Sequence, residues 1–427
     1  MATTSNSSSA PPSDYKPRYI DVSRFHSRRR SHDKKQPLTS PRHAQIGINL
    51  ADPIFRGRYH GKSRHPDDLT GVVQRAVDVG CTKLIVTGSS FKSSRDALKL
   101  AAQFPSTVYT TAGIHPCSSS IFSSTHHHHH DESQSEDEAE HTPACGPDPS
   151  QPPAEGTPDP SRTTAIITDL HTLITTAGPS LVALGEFGLD YDRLHYCPAP
   201  LQLHSFAAQL SLAASLTPQL PLFLHSRAAH RDFVRLLQEA YGERLERLTA
   251  GGVVHSFTGT VEELRELMEL GLYIGINGCS FKTAENCDVV REVRLDRLML
   301  ETDGPWCEVR ASHEGWKYLV EAHNAAQPPP PPVVEEVVVV NGEEGKGRRK
   351  QGGGGGKKNQ KKEPEVPERF KVVKKEKWEE GAMVKGRNEP CTIERIATIV
   401  AGIKGVSVEE VCEAAWANTV KVFGVGA

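Results

Sequence analysis

From residue 46 to residue 306 the chain alternates between two hydrophobic periods. The runs IGINL, KLIVTGSS, VYTTAGIHP, LVALGEFGLD, LPLFLHSR, GGVVHSFTG, LYIGINGCS and LMLETDGPW are short, β-rich and nearly continuous in apolar residues, as in strands buried on both faces. Between them, DDLTGVVQRAVDVG, SRDALKLAAQF, LQLHSFAAQLSLAASL, AHRDFVRLLQEAYG and TVEELRELMELG repeat their apolar positions at the spacing of an amphipathic helix. Eight strand–helix units in one chain predict an α/β fold, a (β/α)8 TIM-type barrel with all strands parallel. Two further helical stretches, CTIERIATIVAGIKG and SVEEVCEAAWANTVKVFG, are expected to close the outer ring.

Three segments break the rhythm. Residues 22–45 are rich in Arg, His and Ser, 118–161 carry HHHHHDESQSEDEAE and a Pro-rich run, and 325–369 join a Pro run to GKGRRKQGGGGGKKNQKK. Such compositions cannot bury enough apolar area to offset chain entropy, so all three are expected to be disordered inserts, as is the N-terminus, 1–18. What remains, 19–424, is expected to form one barrel domain. The first insert separates RYID from IGINL. A direct junction of Asp21 to Ile46 would restore one unbroken strand, so 22–45 reads as a retained intron, with a lineage-specific loop as the alternative.

Hydrophobic residues make up only 37% and aromatics 6% of the chain, which fits a packed domain diluted by inserts. A net charge of -3 gives no overall pull toward nucleic acid, so local clusters must carry any such role. The nine Cys show no CxxC pairs, and no apolar run is long enough to span a bilayer. The expectation is a reduced intracellular monomer, cytoplasmic or nuclear, whose thiols serve mostly as core residues.

In a TIM-type barrel the C-terminal strand ends share one rim, where function is built. The polar residues at those ends are Asn49, Thr87, His115, Glu186, His225, His255, Asn277 and Asp303. A single His after an apolar run usually finds a backbone partner and nothing more. Four strands that present Glu186, His225, His255 and Asp303 at one level are a different matter, because burying such groups without a task is costly. Two imidazoles and two carboxylates suit a divalent cation, and the oxygen share leaves room for Mg2+ or Mn2+ as well as Zn2+. Such a site supports hydrolysis, with Asp303 and Glu186 as the candidate catalytic carboxylates. Glu186 paired with Arg193 or Arg227 is the structural alternative.

The same residues carry a resemblance. GEFGLDYDR, FLHSRAAH, VVHSFTGT, ETDGPW and RNEPC, with AGIHP and IGINLADPIFRG, resemble the signature segments of the TatD family of metal-dependent deoxyribonucleases, in its eukaryotic branch. That resemblance implies Glu186, His225, His255 and Asp303 as metal ligands and a nuclease that trims DNA, often from the 3′ end. Many members open with His-x-His on the first strand, where this chain has Gly47 and Asn49. The departure favours an Mg2+-like arrangement over a filled two-metal site. Single-stranded DNA is the expected substrate and RNA a second candidate. A small-molecule metal hydrolase of the amidohydrolase kind and an inactive DNA-binding scaffold stay open as alternatives.

Around the rim, His115, Arg227, Asn49 and Lys317 are candidate substrate contacts, joined by Lys282 and Arg387, and Trp306 and Trp316 are candidates for stacking on a base. His126–His130 and Gly352–Gly356 sit in the inserts and read as loop and linker. The Lys/Arg runs beside the glycines could tether DNA through its phosphates.

Overall fold

The computed structural model describes residues 41–124, 156–326 and 366–426. The five-His run, Gly352–Gly356, Asp21 and most of the three inserts lie outside these residues. Eight parallel strands close a barrel: β1 (His43–Ile48), β2 (Cys81–Val86), β3 (Val108–Ala112), β4 (Leu181–Asp190), β5 (Leu222–Arg227), β6 (Gly252–Val254), β7 (Tyr273–Ile276) and β8 (Leu298–Leu300). Each pairs with its successor, and β8 closes onto β1. The outer ring holds α1 (Leu69–Asp78), α2 (Phe91–Gln103), α3 (Pro160–Thr176), α4 (Ala199–Ser215), α5 (His230–Tyr241), α6 (Val261–Glu269), α7 (Ala284–Glu292), α8 (Trp316–Ala325), α9 (Ile393–Lys404) and α10 (Val408–Phe423).

Strand periodicity sorts the apolar residues into two layers. Leu84, Val86, Leu222, Leu224, Val254, Leu298 and Leu300 face outward into the core beneath the helices. Ile46, Ile85, Phe223, Val253, Tyr273 and Met299 fill a separate cluster, joined by Phe423 and Val425 from the end of the chain. This second cluster is the barrel interior, plugged from below by the last helix and its exit. Because side chains alternate, the residues two positions beyond this inner layer face the barrel axis one level higher. They include Thr87, His225, His255 and Glu301, and this level becomes the functional one.

Several sequence expectations need correcting. The first strand is not broken: His43, Ala44 and Gln45, read as the end of an insert, are buried and form the first half of β1. Gln45 is held by a 2.7 Å hydrogen bond from its Nε2 to Thr302 Oγ1. Likewise, the ends of 118–161 are packed. Pro116–Phe122 forms a largely buried 3-10 turn, Ser123 bridges to Pro158, and α3 starts at Pro160, capped by Asp159. At the third insert, Ala325 still belongs to α8, and Val366 packs on the core.

Arg387 is likewise no rim contact. It is fully buried, with Nη1 at 2.9 Å from Asp68 Oδ1 and Nη2 at 2.7 Å from Asp68 Oδ2 and 2.8 Å from Glu389 Oε1. Arg75 completes the group through Nε, 2.8 Å from Glu389 Oε2. Next to it, Asn388 Nδ2 donates to the carbonyls of Thr302 and Trp306 at 2.9 and 2.6 Å. The segment beyond the third insert thus pins the turn that follows β8.

Candidate metal centre

Glu186 owes its place to an irregularity in β4. Gly185 pairs with Phe223 and Phe187 with Leu224, so Glu186 is the extra residue of a bulge, a device that re-aims a side chain. Gly188, at φ 149°, lets the strand press so close to β5 that a β-carbon there would collide with the His225 carbonyl. The G-E-F-G spacing therefore drives the carboxylate toward the axis, against the next strand.

Three imidazoles converge on one oxygen. Glu186 Oε1 lies 2.6 Å from His255 Nε2, 2.9 Å from His225 Nδ1 and 3.3 Å from His115 Nε2. His225 Nδ1 and His255 Nε2 are themselves 3.3 Å apart. The outer nitrogen of each of these two rings is taken by a buried carboxylate: His225 Nε2 is 3.1 Å from Asp190 Oδ2 and His255 Nδ1 is 3.3 Å from Glu301 Oε2. Glu301 also accepts from the Ser256 amide.

Those outer partners fix the tautomers, since each carboxylate draws the ring proton to its own side. The inner atoms left over, His225 Nδ1, His255 Nε2 and Glu186 Oε1, are all acceptors aimed at one another, an arrangement that requires a positive charge among them. In the protein alone a proton fills that need. Burial opposes it, yet Glu186 and Glu301 hold the His255 pKa well above the usual imidazole value. Burial would raise the Glu186 carboxyl, but the charges of His255 and His115, with the His115 hydrogen bond and the His225 ring close by, hold it well below the usual range. Burial lowers His225, against its bonds to Asp190 and Glu186. Imidazole nitrogens backed by carboxylates and converging on a third acceptor are a donor set that fits a divalent cation.

His115 differs. Its Nδ1 accepts from the Cys117 amide at 3.1 Å, so a neutral ring carries its proton on Nε2, toward Glu186. By proximity, His115, Glu186 and His225 also form a trio that could hold a metal ion, though this tautomer makes the His115 Nε2 a donor.

Asp303 stands apart from the three-ring contact. Its Oδ1 receives Asn49 Nδ2 at 3.2 Å, and its Oδ2 lies 3.2 Å from the Cys307 sulfur. Burial pushes its carboxyl up to about 7, opposed by His255 and reinforced by Glu301 and Glu186. Arg227, at the end of β5, lines a cavity of about 200 Å3 with Asp192, Ser226, His230 and Thr258, and its Nε is buried without a hydrogen-bond partner among the described residues. Lys317 is exposed on α8 and paired with Glu314, with no contact to this cluster. Arg193 pairs with Asp190 at 3.8 Å rather than with Glu186.

Three residues that shape the centre were not read from the sequence: Asp190, Glu301 and Cys307. The signal for two of them was spacing. Asp190 follows Glu186 by four residues, and Glu301 follows the inward-facing Met299 by two.

A closed parallel barrel with imidazoles and carboxylates gathered at its C-terminal rim defines the class: a TIM-barrel metal-dependent hydrolase. The family described as TatD related DNase matches residues 59–424. A "Deoxyribonuclease Tat-D" from Schizosaccharomyces pombe is 37% identical over 388 residues, which cover 90% of this chain and 97% of that one. A "3'-5' ssDNA/RNA exonuclease TatD" from Rahnella sp. is 34% identical over 61% of this chain and 78% of its own. The crystal structure of an uncharacterised amidohydrolase from Saccharomyces cerevisiae matches with a TM-score of 0.68 at 30% identity, covering 90% of this chain and 100% of that one. The chain belongs to the TatD family of DNases, hydrolases that act on ester bonds. No helix among the described residues is long and apolar enough to cross a membrane.

Proposed function

We propose that this chain is a metal-dependent exonuclease that shortens single-stranded DNA from its 3′ end, with RNA as a second substrate and Mg2+ as the working ion. The observation that carries this reading is the set of inner acceptors, His225 Nδ1, His255 Nε2 and Glu186 Oε1, each ring backed by its own carboxylate. Together with Asp303 they are the ligands we assign. The Rahnella relative, named a 3'-5' ssDNA/RNA exonuclease, supports the polarity and the substrate.

A divalent cation held by Glu186, His225, His255 and Asp303 would supply Lewis acidity toward a phosphate. The remaining tasks fall to the chain itself. Asp303, a half-buried carboxylate of that ligand set, is the group suited to take a proton from an attacking water. Asn49 Nδ2 and the Cys307 thiol, one on each carboxylate oxygen, hold its orientation. Arg227, with its Nε unpartnered at a cavity beside the rim, holds the phosphate charge. His115, donating from Nε2, serves a phosphate oxygen rather than the cation. Trp306, the most exposed of the large apolar side chains at 46%, offers a face for an unpaired base. Phosphate and stacking contacts of this kind carry no base-edge readout, so the expected cleavage is independent of sequence.

The test is a time course on single-stranded DNA labelled at either end, with Mg2+, Mn2+ or EDTA, beside Asp303→Asn. A ladder from the 3′ end that needs metal and vanishes in the variant is the expected result. A folded protein that binds metal and leaves both labelled strands intact overturns it in favour of a small-molecule ester substrate.

A further inference from the structure

Eight cysteines fall within the described residues, and six of them are buried. The two that are not, Cys279 and Cys307, are also the two that meet: their sulfurs lie 3.0 Å apart. They come from different rim loops. Cys279 is in the 3-10 turn after β7, Gly278–Phe281, and Cys307 follows the Asp303–Trp306 turn after β8. The loops touch through backbone as well, since a β-carbon on Gly278 would collide with the Cys307 carbonyl. The pairing is therefore set by the fold and not by a chance rotamer. We propose that Cys279 and Cys307 form an oxidisable dithiol, a disulfide site that reacts with hydroperoxides at the edge of the metal centre.

The chemistry balances with a peroxide as oxidant. The Cys279 thiolate attacks a peroxide oxygen, the O–O bond breaks, and protonation of the departing oxygen gives water and a Cys279 sulfenic acid. The Cys307 sulfur then attacks Cys279, expelling hydroxide that takes up the Cys307 proton. The sum is two thiols and one hydrogen peroxide to one disulfide and two waters. Cys279 is suited to the first step: the hydrogen bond with Cys307, then the charges of Lys282 and Arg227, bring its pKa down to about 6 against burial. A thiolate beside cations and partly open to solvent is the reactive form of cysteine.

Closing the bond reaches the catalytic level through one atom. Cys307 has a single S–H and two acceptors near it, the Cys279 sulfur and Asp303 Oδ2 at 3.2 Å. A disulfide removes that proton and draws the Cys307 sulfur toward Cys279, away from Asp303. It also staples the loops that follow β7 and β8. Oxidation should therefore alter cleavage reversibly, and this consequence alone rests on the role proposed for Asp303.

The bond is read by mass, independently of activity. Full-length protein is treated with stoichiometric hydrogen peroxide, its remaining thiols are alkylated, and the digest is searched for a linked pair of peptides. The expected result is a Cys279–Cys307 link that disappears on reduction and is absent from Cys279→Ser and Cys307→Ser. Cleavage measured in parallel should change on oxidation and recover on reduction in the wild type, and stay constant through the same cycle in Cys279→Ser. Finding both thiols free, or each oxidised without a link, overturns the disulfide. A link that forms while cleavage never changes overturns its coupling to Asp303.

Discussion

Compare two groups of buried charge in this molecule. One is Asp68, Arg75, Arg387 and Glu389, where guanidinium donors meet carboxylate oxygens at 2.7–2.9 Å. Its two cations face two anions, so donors and acceptors are matched in kind. The other is Glu186, His225 and His255, where the outer nitrogens are matched but the inner atoms are acceptors facing acceptors. Both are buried and both are dense in charge, and either would look functional from composition alone. The difference is that the first balances its charges as it stands, with only the Arg387 Nε left without a partner among the described residues, while the second balances only with a cation or a proton in its middle. A matched cluster locks the chain, and a mismatched one waits for a ligand.

That contrast can be broken by experiment. Arg387→Ala leaves Asp68 and Glu389 with a buried charge deficit, and removing one partner of such a group costs about 3–5 kcal/mol. The unfolding midpoint in urea should drop accordingly, and an unchanged midpoint would sink the structural reading. Glu186→Gln should do the opposite, lowering metal-dependent cleavage by on the order of 10²–10³-fold, the scale for losing one charge-stabilising group, while the urea midpoint holds. Asp190→Asn keeps the shape behind His225 but weakens its hold, so metal affinity by calorimetry should fall roughly 10–100-fold.

pH separates the two groups further. His255 and Asp303 both have raised pKa values, Asp303 at about 7, and both must lose protons before they can hold a cation. Metal affinity should therefore rise with pH through about 7, at up to about tenfold per unit for each proton released, and a flat titration would contradict the assignment. Asp68 is shifted the other way: burial opposes, but Arg387 holds its carboxyl below the usual 3.8. Its contribution to stability is fully present above that value and is lost as pH falls below it, far from the range where the metal centre titrates. The smallest effect belongs to Lys317→Ala. That side chain is exposed and paired with Glu314, so stability should change by no more than about 0.5 kcal/mol and cleavage should stay at the wild-type rate.

The barrel was legible because each strand is a continuous apolar run with no competing helical period. His225 and His255 were legible for a related reason: each closes an apolar strand and lies two residues past an inward-facing one, Phe223 and Val253. The same step from Met299 leads to Glu301, which was passed over because Asp303 stood at the visible end of the run. Polar residues misled at β1, where His43 and Gln45 look like loop until Thr302 is there to accept from the Gln45 amide nitrogen. α3 escaped notice because it is rich in Thr and buries only Leu170 and Ile174. Arg387 looked like a substrate contact because its buried counter-ion Asp68 is some three hundred residues away in sequence.

Gly47 stands on β1 at the position where the family resemblance would put the first His of a pair. In this chain the place is taken: a β-carbon on Gly47 would fall on Glu301 Oε2, and its backbone sits at φ 78°, a conformation side chains other than glycine's resist. The same Glu301 oxygen holds His255. A side chain at 47 would therefore have to displace the Glu301 carboxylate and leave His255 Nδ1 without its partner. The glycine at 47 and the carboxylate behind His255 are two halves of one arrangement.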